Sequence, residues 1–177
     1  WREEEYLSYG YEFPKPSVRF SQLEETITIC RLMWSQDEPH FEGEFFRIDG
    51  AAAPPLPETA PPICVGTSGE QVGIPLAARH ADIWNTVWRG NKESLIRKRD
   101  VMIQELERCG RERADVQFSL TIEKPLPRTG EEATAFADML HDLINAGFEH
   151  FVLDFGNPES PGEVDLFLSD VATPLRH

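Results

Sequence analysis

Short apolar runs alternate with longer amphipathic segments through the second two-thirds of the chain. Four runs, at residues 62–65, 82–87, 116–122 and 150–155, have the length and composition typical of buried strands. Between and after them, apolar positions recur at helical spacing. This alternation predicts βαβ units that form a parallel sheet, and therefore an α/β fold.

Start signals delimit four amphipathic helices. Ser21 with Glu24 three positions later forms a capping-box pattern before an apolar face. Asn91 and Thr129 are suited to cap the next two helices, and Ser160 precedes a proline at the start of the last. The apolar faces of these helices predict packing against the sheet.

Residues 35–62 interrupt the alternation. Six prolines break regular structure there, and residues 41–46 have the sequence of a turn between two short extended pieces. An excursion of this length between a helix and a strand is uncommon unless it covers a site. Two interpretations stay open, a cover over a functional site and a simple surface flap.

Composition narrows the possible partners. The chain has 177 residues and a net charge of −14, which argues against binding to a nucleic-acid backbone. No apolar run approaches the ~20 residues of a membrane span. Cys30, Cys64 and Cys109 are widely separated, which predicts buried thiols in a reducing, cytoplasmic compartment. The histidines show no metal-ligand spacing, so no metal site is predicted.

A short glycine-rich segment follows the first predicted strand and consists of Gly66, Thr67, Ser68 and Gly69. Its glycines allow close backbone approach, its hydroxyl groups are donors, and a following helix would direct N–H groups toward an anion. The alternative is an ordinary strand-to-helix turn with Ser68 as N-cap. Pro75, where the helix interior is expected, argues against a straight helix aimed at the loop.

Other polar residues lie near predicted strand ends. Asn85, expected at the end of the second strand, is a candidate for polar contact with a ligand, whereas Trp84 beside it is expected in the core. Asp154 near the end of the fourth strand is either a site carboxylate or a structural partner for an arginine or a backbone N–H.

Several motifs together resemble one enzyme family. They are the opening WREEEYLSYGYEFP, the FEG at residues 41–43, the PPICVG at 61–66 and the ARHADIWN at 78–85. This combination resembles the luciferase-like monooxygenases, and within them the enzymes that use the deazaflavin F420. The resemblance covers residues 1–90 by motif and residues 91–177 by pattern.

The resemblance implies a fold and a site. The chain would be the C-terminal half of a (β/α)8 TIM barrel, with strands 5 to 8 and their helices, while the N-terminal half is absent. The length agrees, because a complete barrel typically needs ~250 residues. In relatives the loop that corresponds to residues 66–69 holds the cofactor phosphate. The expected cofactor-binding residues are therefore Gly66, Thr67, Ser68 and Gly69, together with Asn85 near the end of the next strand. The expected cofactor is F420, with FMN as the alternative.

An oxidoreductase function follows from the same resemblance. A reduced flavin or deazaflavin would act on a small organic substrate, and the full-length protein is expected to form a homo-oligomer. No catalytic residue is identified, and the isolated segment is expected to be inactive. The alternative is a non-catalytic truncated paralogue, a half-barrel that keeps the fold but binds nothing.

Overall fold

A computed structural model describes residues 2–158 and 160–176, and it describes residue 176 by its backbone alone. The chain divides into two compact units, Trp1–Ile63 and Cys64–His177. None of the helices in the described ranges combines the length and apolar content needed to cross a bilayer.

The first unit contains two helices and a β-hairpin. The second helix begins at Pro16, five residues before the capping box predicted at Ser21, so that prediction is wrong. Proline suits the first helical position because its φ is already helical and its missing N–H would have no partner there. The elements of this unit are α1 (Glu3–Ser8), α2 (Pro16–Ser35), β1 (His40–Glu42) and β2 (Arg47–Asp49).

The hairpin turn is fastened to α2 by one carboxylate. Glu25 accepts hydrogen bonds from the backbone N–H groups of Glu44 (2.7 Å), Phe45 (3.1 Å) and Phe46 (2.9 Å). Gly43 precedes them, and a side chain there would overlap the carboxyl group of Glu25. The predicted turn between two extended pieces is confirmed, with β1 and β2 paired antiparallel.

The second unit is a four-stranded parallel sheet with its connecting helices. All four predicted strands are present within one or two residues of their expected bounds, in the order β3-β4-β5-β6. The elements are β3 (Cys64–Gly66), α3 (Gly73–His80), β4 (Ile83–Val87), α4 (Lys92–Arg108), β5 (Gln117–Glu123), α5 (Gly130–Asn145), β6 (His150–Asp154) and α6 (Pro161–Phe167), with short turns of 3-10 or π helix at Arg113–Asp115, Leu168–Ala172 and Pro174–Arg176.

The predicted helix caps are found in this unit. The side chain of Asn91 accepts a hydrogen bond from the Ser94 N–H (2.9 Å), and that of Thr129 accepts one from the Glu132 N–H (3.2 Å). Ser160 occupies the N-cap position of α6 in an extended conformation. The side chains of Asn91 and Thr129 each satisfy an N–H that has no partner within its helix, whereas that of Ser160 makes no capping hydrogen bond.

The strand order determines where the helices lie. Crossovers between parallel strands are almost always right-handed, so a sequential order puts every connecting helix on the same face of the sheet. A doubly wound sheet would reverse its order part-way and carry helices on both faces. Helices on one side of a sequential parallel sheet are the arrangement of a (β/α)8 barrel, of which four strands make half.

Side chains that point toward the helices form the helix-covered face. On β3 to β5 they are at most 5 % exposed, and they are Val65, Trp84, Thr86, Phe118, Leu120 and Ile122. On β6, Phe151 and Leu153 lie on the same face and are half-buried. Trp84 is the largest, and its ring lies edge-on to Phe118 with centroids 5.1 Å apart and 6.0 Å from that of Phe148. The prediction that Trp84 belongs to the core is confirmed.

The alternate side chains form the open face, because the helices that connect the four strands in the described part of this unit lie on the other side. Most of them are partly or fully exposed, and many are polar. The face consists of Cys64, Gly66, Ile83, Asn85, Val87, Gln117, Ser119, Thr121, Glu123, His150, Val152 and Asp154. In a closed barrel this face lines the interior.

The cysteine prediction is only partly right. All three thiols are free, as expected, but Cys64 and Cys109 are exposed and only Cys30 is half-buried. Cys64 lies on the open face, and Cys109 is the C-cap residue that follows α4, so neither is enclosed by the apolar core.

Candidate active site

The carboxyl ends of the four parallel strands meet at one edge of the sheet. There Arg89 and Glu123, from the ends of β4 and β5, approach to 3.4 Å. A cavity of about 290 Å³ lies between the ends of β5 and β6 and is lined by Glu123, Lys124, Pro125, Asp154, Phe155 and Gly156. Active sites of (β/α)8 barrels lie at this edge, which makes the loops here the candidate site.

The loop after β3 is pinned by backbone hydrogen bonds. The Thr67 N–H donates to the Asn85 carbonyl (2.9 Å), and the indole N–H of Trp84 donates to the Thr67 carbonyl (3.0 Å). The Ile74 N–H donates to the Gly69 carbonyl (2.8 Å). The loop is therefore held at both ends, by the neighbouring strand and by the first turn of α3.

The glycines of this loop differ in how much space a side chain would find at each position. A Cβ added at Gly66 would meet no heavy atom within 4 Å, and one at Gly69 would meet only a backbone nitrogen at 3.9 Å. A Cβ at Gly73 would overlap the hydroxyl of Thr67 and lie 3.0 Å from its Cβ. Gly66 and Gly69 thus leave room for a ligand, whereas Gly73 is required for packing, a role that sequence reasoning did not assign.

Ser68 does not cap the following helix. The N-cap of α3 is Val72, and the hydroxyl of Ser68 pairs with that of Thr86 at 2.8 Å. Thr86 is only 1 % exposed, so this bond satisfies a buried hydroxyl group. The alternative of an ordinary turn capped by Ser68 is wrong, because the chain makes a wider loop before α3 begins.

Unused donors remain in the loop. Pro75 lies in the first turn of α3, where proline is tolerated, but it removes one N–H from the helix terminus, and the Ile74 N–H is already used. Anion binding would therefore depend more on loop amides than on the helix. Between Thr67 and Ile74, all of which the structure describes, the backbone N–H groups without an acceptor are those of Ser68, Glu70, Gln71, Val72 and Gly73. Such a set, beside open space at two glycines, fits a phosphate group.

Asn85 lies in the middle of β4 rather than at its end, which corrects the expectation from the sequence. Its Oδ1 accepts a hydrogen bond from Thr121 (3.0 Å), and its Nδ2 donates to Ser119 (2.8 Å). Ser119 in turn pairs with Nδ1 of His150 (2.8 Å). Asn85 is thus one member of a hydrogen-bonded row across three strands of the open face, and its contact with a cofactor stays a prediction.

Asp154 has a structural partner. Its Oδ1 accepts a hydrogen bond from the Gly156 N–H at 2.9 Å, one of the two roles considered for it. Among the described residues, no group of three or more histidine, cysteine or acidic side chains is arranged to hold a metal ion.

A larger cleft, of about 700 Å³, lies in the first unit along α1. It is lined by three glutamates and is therefore unsuited to an anionic cofactor, despite its size. Its lining residues are Arg2, Glu3, Glu4, Glu5, Ser8 and Tyr9.

Comparison with known proteins decides the family. Residues 1–165 match the luciferase-like monooxygenase family. The chain belongs to that family.

Curated relatives include F420-dependent glucose-6-phosphate dehydrogenases. The one from Nocardia farcinica is 34% identical over 77 residues, which cover 42% of this chain and 21% of the relative. The one from Microbacterium testaceum is 29% identical over 117 residues, which cover 66% of this chain and 34% of the relative. The chain thus spans about a third or less of these relatives.

Solved structures establish the barrel fold of this luciferase-like chain. An F420-dependent secondary alcohol dehydrogenase in complex with an F420-acetone adduct matches with a TM-score of 0.75 at 17% identity, covering 91% of this chain and 63% of that one. A riboflavin lyase solved with modified FMN and riboflavin matches with a TM-score of 0.73 at 13% identity, covering 97% and 60%. The predicted partial (β/α)8 barrel is confirmed.

Proposed function

We propose that this chain is the cofactor-phosphate half of an oxidoreductase that uses F420. In this proposal residues 1–177 act as the C-terminal half of a complete barrel. The observation that carries it is the loop at residues 66–73, which joins unused backbone donors to open space at Gly66 and Gly69. Membership of the luciferase-like family supports the redox class, and the F420-dependent relatives support the cofactor.

The residues of this chain would bind and position the cofactor. The loop amides and the Thr67 hydroxyl would hold the phosphate, and the row that contains Asn85 would form part of the wall beneath the ring. The bound deazaflavin supplies the hydride chemistry, whereas the protein supplies orientation and excludes water. Both contributions depend on the edge at which the carboxyl ends of the strands meet.

F420 is proposed over FMN because the curated relatives that match are F420-dependent, although FMN enzymes share the fold. The test is a titration of the protein carrying the complete barrel with F420 and with FMN. Tighter binding of F420 is expected. Tighter binding of FMN would overturn the cofactor assignment, and binding of neither would favour a non-catalytic half-barrel.

The substrate, assembly and location follow as parts of the same proposal. A small organic molecule would bind at the mouth formed by the strand ends, and the complete protein would be a homo-oligomer. The three free thiols agree with a reducing, cytoplasmic compartment. Light scattering of the complete protein tests the assembly, because a monomer at micromolar concentration would contradict it.

A further inference from the structure

An ion pair adjoins the proposed phosphate loop. Glu70 directly follows Gly69, and its Oε1 accepts hydrogen bonds from Nε (3.1 Å) and Nη2 (2.9 Å) of Arg97. Arg97 lies in the second turn of α4, so the pair joins the loop after β3 to the helix after β4. The side chain of Glu70 is 32% exposed and that of Arg97 is 63% exposed.

The charge of Glu70 opposes anion binding at this loop. Glu70 is the one charged residue among residues 66–72, and its own N–H is one of the unused donors. A glutamate carboxylate lies only a few ångströms from its own backbone nitrogen, and charges interact over a Debye length of ~8 Å at physiological salt. A phosphate held by these amides would therefore be repelled by an uncompensated Glu70. The net charge of −14 adds no long-range attraction.

We propose that Arg97 is a positioning residue that makes the loop competent for a phosphate by neutralising Glu70. This inference rests on the proposed function of the loop. Arg97 does not contact the phosphate in this account. It acts through the Glu70 carboxylate, by holding it in the two hydrogen bonds and by cancelling its charge.

The pair is tested by a double-mutant cycle in the protein carrying the complete barrel, with F420 affinity as the readout. Arg97→Gln should weaken F420 binding by about threefold at low salt, because Glu70 then faces the phosphate uncompensated. Glu70→Gln should strengthen it by about threefold, because the positive charge of Arg97 remains. The double variant should return to within about twofold of the wild type.

Two further measurements separate charge from structure. The changes in affinity caused by Arg97→Gln and by Glu70→Gln should both become smaller in high salt. Neither substitution should change the affinity for the deazaflavin fragment that lacks the phosphate. Arg108→Gln is the matched control, since Arg108 forms an ion pair with Glu105 on the same helix, 11 positions further from the loop.

The outcomes are distinct. If Arg97→Gln, Glu70→Gln and the double variant all weaken F420 binding to the same extent and independently of salt, the ion pair has only a structural role and the proposal is overturned. Unchanged affinity in both single variants would also overturn it. If the wild-type protein binds no F420, the proposed function itself fails, which is a different result from either.

Discussion

The two faces of the four-stranded sheet differ in the burial and the polarity of their side chains. On β3 to β5 the side chains of the helix-covered face are at most 5 % exposed, and the rings of Trp84 and Phe118 pack there with that of Phe148. The open face carries Asn85, Ser119, Thr121 and His150 in a hydrogen-bonded row, next to exposed Val152. The first face is completed by the helices of this chain, whereas the second keeps polar and apolar groups that a barrel interior would enclose. The helix-covered face should therefore determine stability, and the open face should determine function.

The largest expected effect is on the helix-covered face. Trp84→Ala should lower the free energy of unfolding by about 3–5 kcal/mol, because it removes a fully buried ring and leaves a cavity. Val152→Ala, on the open face and 46% exposed, should change it by less than about 0.5 kcal/mol. Urea unfolding of the 177-residue chain, followed by circular dichroism, measures both. Equal effects of the two substitutions would break the contrast between the faces.

An intermediate effect is expected in the hydrogen-bonded row. Asn85→Ala should lower the free energy of unfolding by about 1–2 kcal/mol, since the side chains of Ser119 and Thr121 each lose a partner. Asn85→Asp is the matched variant, because it keeps the acceptor for Thr121 and removes the donor to Ser119. If Asn85→Ala left stability unchanged but weakened F420 binding in the complete protein, Asn85 would be a cofactor ligand rather than a structural member of the row.

The smallest expected effect concerns Cys64 on the open face. The residue is exposed, yet partial burial of its thiol raises the pKa above the ordinary value. Because the thiolate is the reactive form, alkylation of Cys64 by iodoacetamide at pH 8 should be slower in the folded chain than in urea. The alkylation rate of folded Cys64 should continue to rise with pH above the pH at which the alkylation rate of a free thiol becomes constant. Mass spectrometry locates the label, and Cys64→Ser identifies its contribution; equal folded and unfolded rates would contradict the shift.

Sequence patterns predicted most of the fold because local signals and topology agreed. The four apolar runs became the four strands, and the Asn91 and Thr129 caps formed as expected, since each depends only on neighbouring residues. The predicted start of α2 at Ser21 was wrong, because Pro16 is a stronger start signal than a capping-box pattern inside a continuing helix.

Contacts between strands could not be predicted in the same way. The bond between Ser68 and Thr86 and the row through Asn85 join residues 18 to 36 positions apart, and only the register of the sheet brings them together. The packing of Thr67 on Gly73 likewise depends on the width of the loop. One consequence is that Ser68→Ala is a poor test of phosphate binding, because it also leaves the buried Thr86 hydroxyl without its partner.

The most direct test of the central claim is the affinity of a Gly66→Val variant for F420, measured in the protein carrying the complete barrel. In the 177-residue chain a side chain at Gly66 would meet no heavy atom within 4 Å, so the melting temperature of this chain should be almost unchanged. The branched side chain would occupy the space that the phosphate needs, so binding should weaken by at least roughly tenfold, or ~1.4 kcal/mol. Wild-type affinity in this variant would contradict the account, because the phosphate would then have to bind elsewhere on the rim of the barrel.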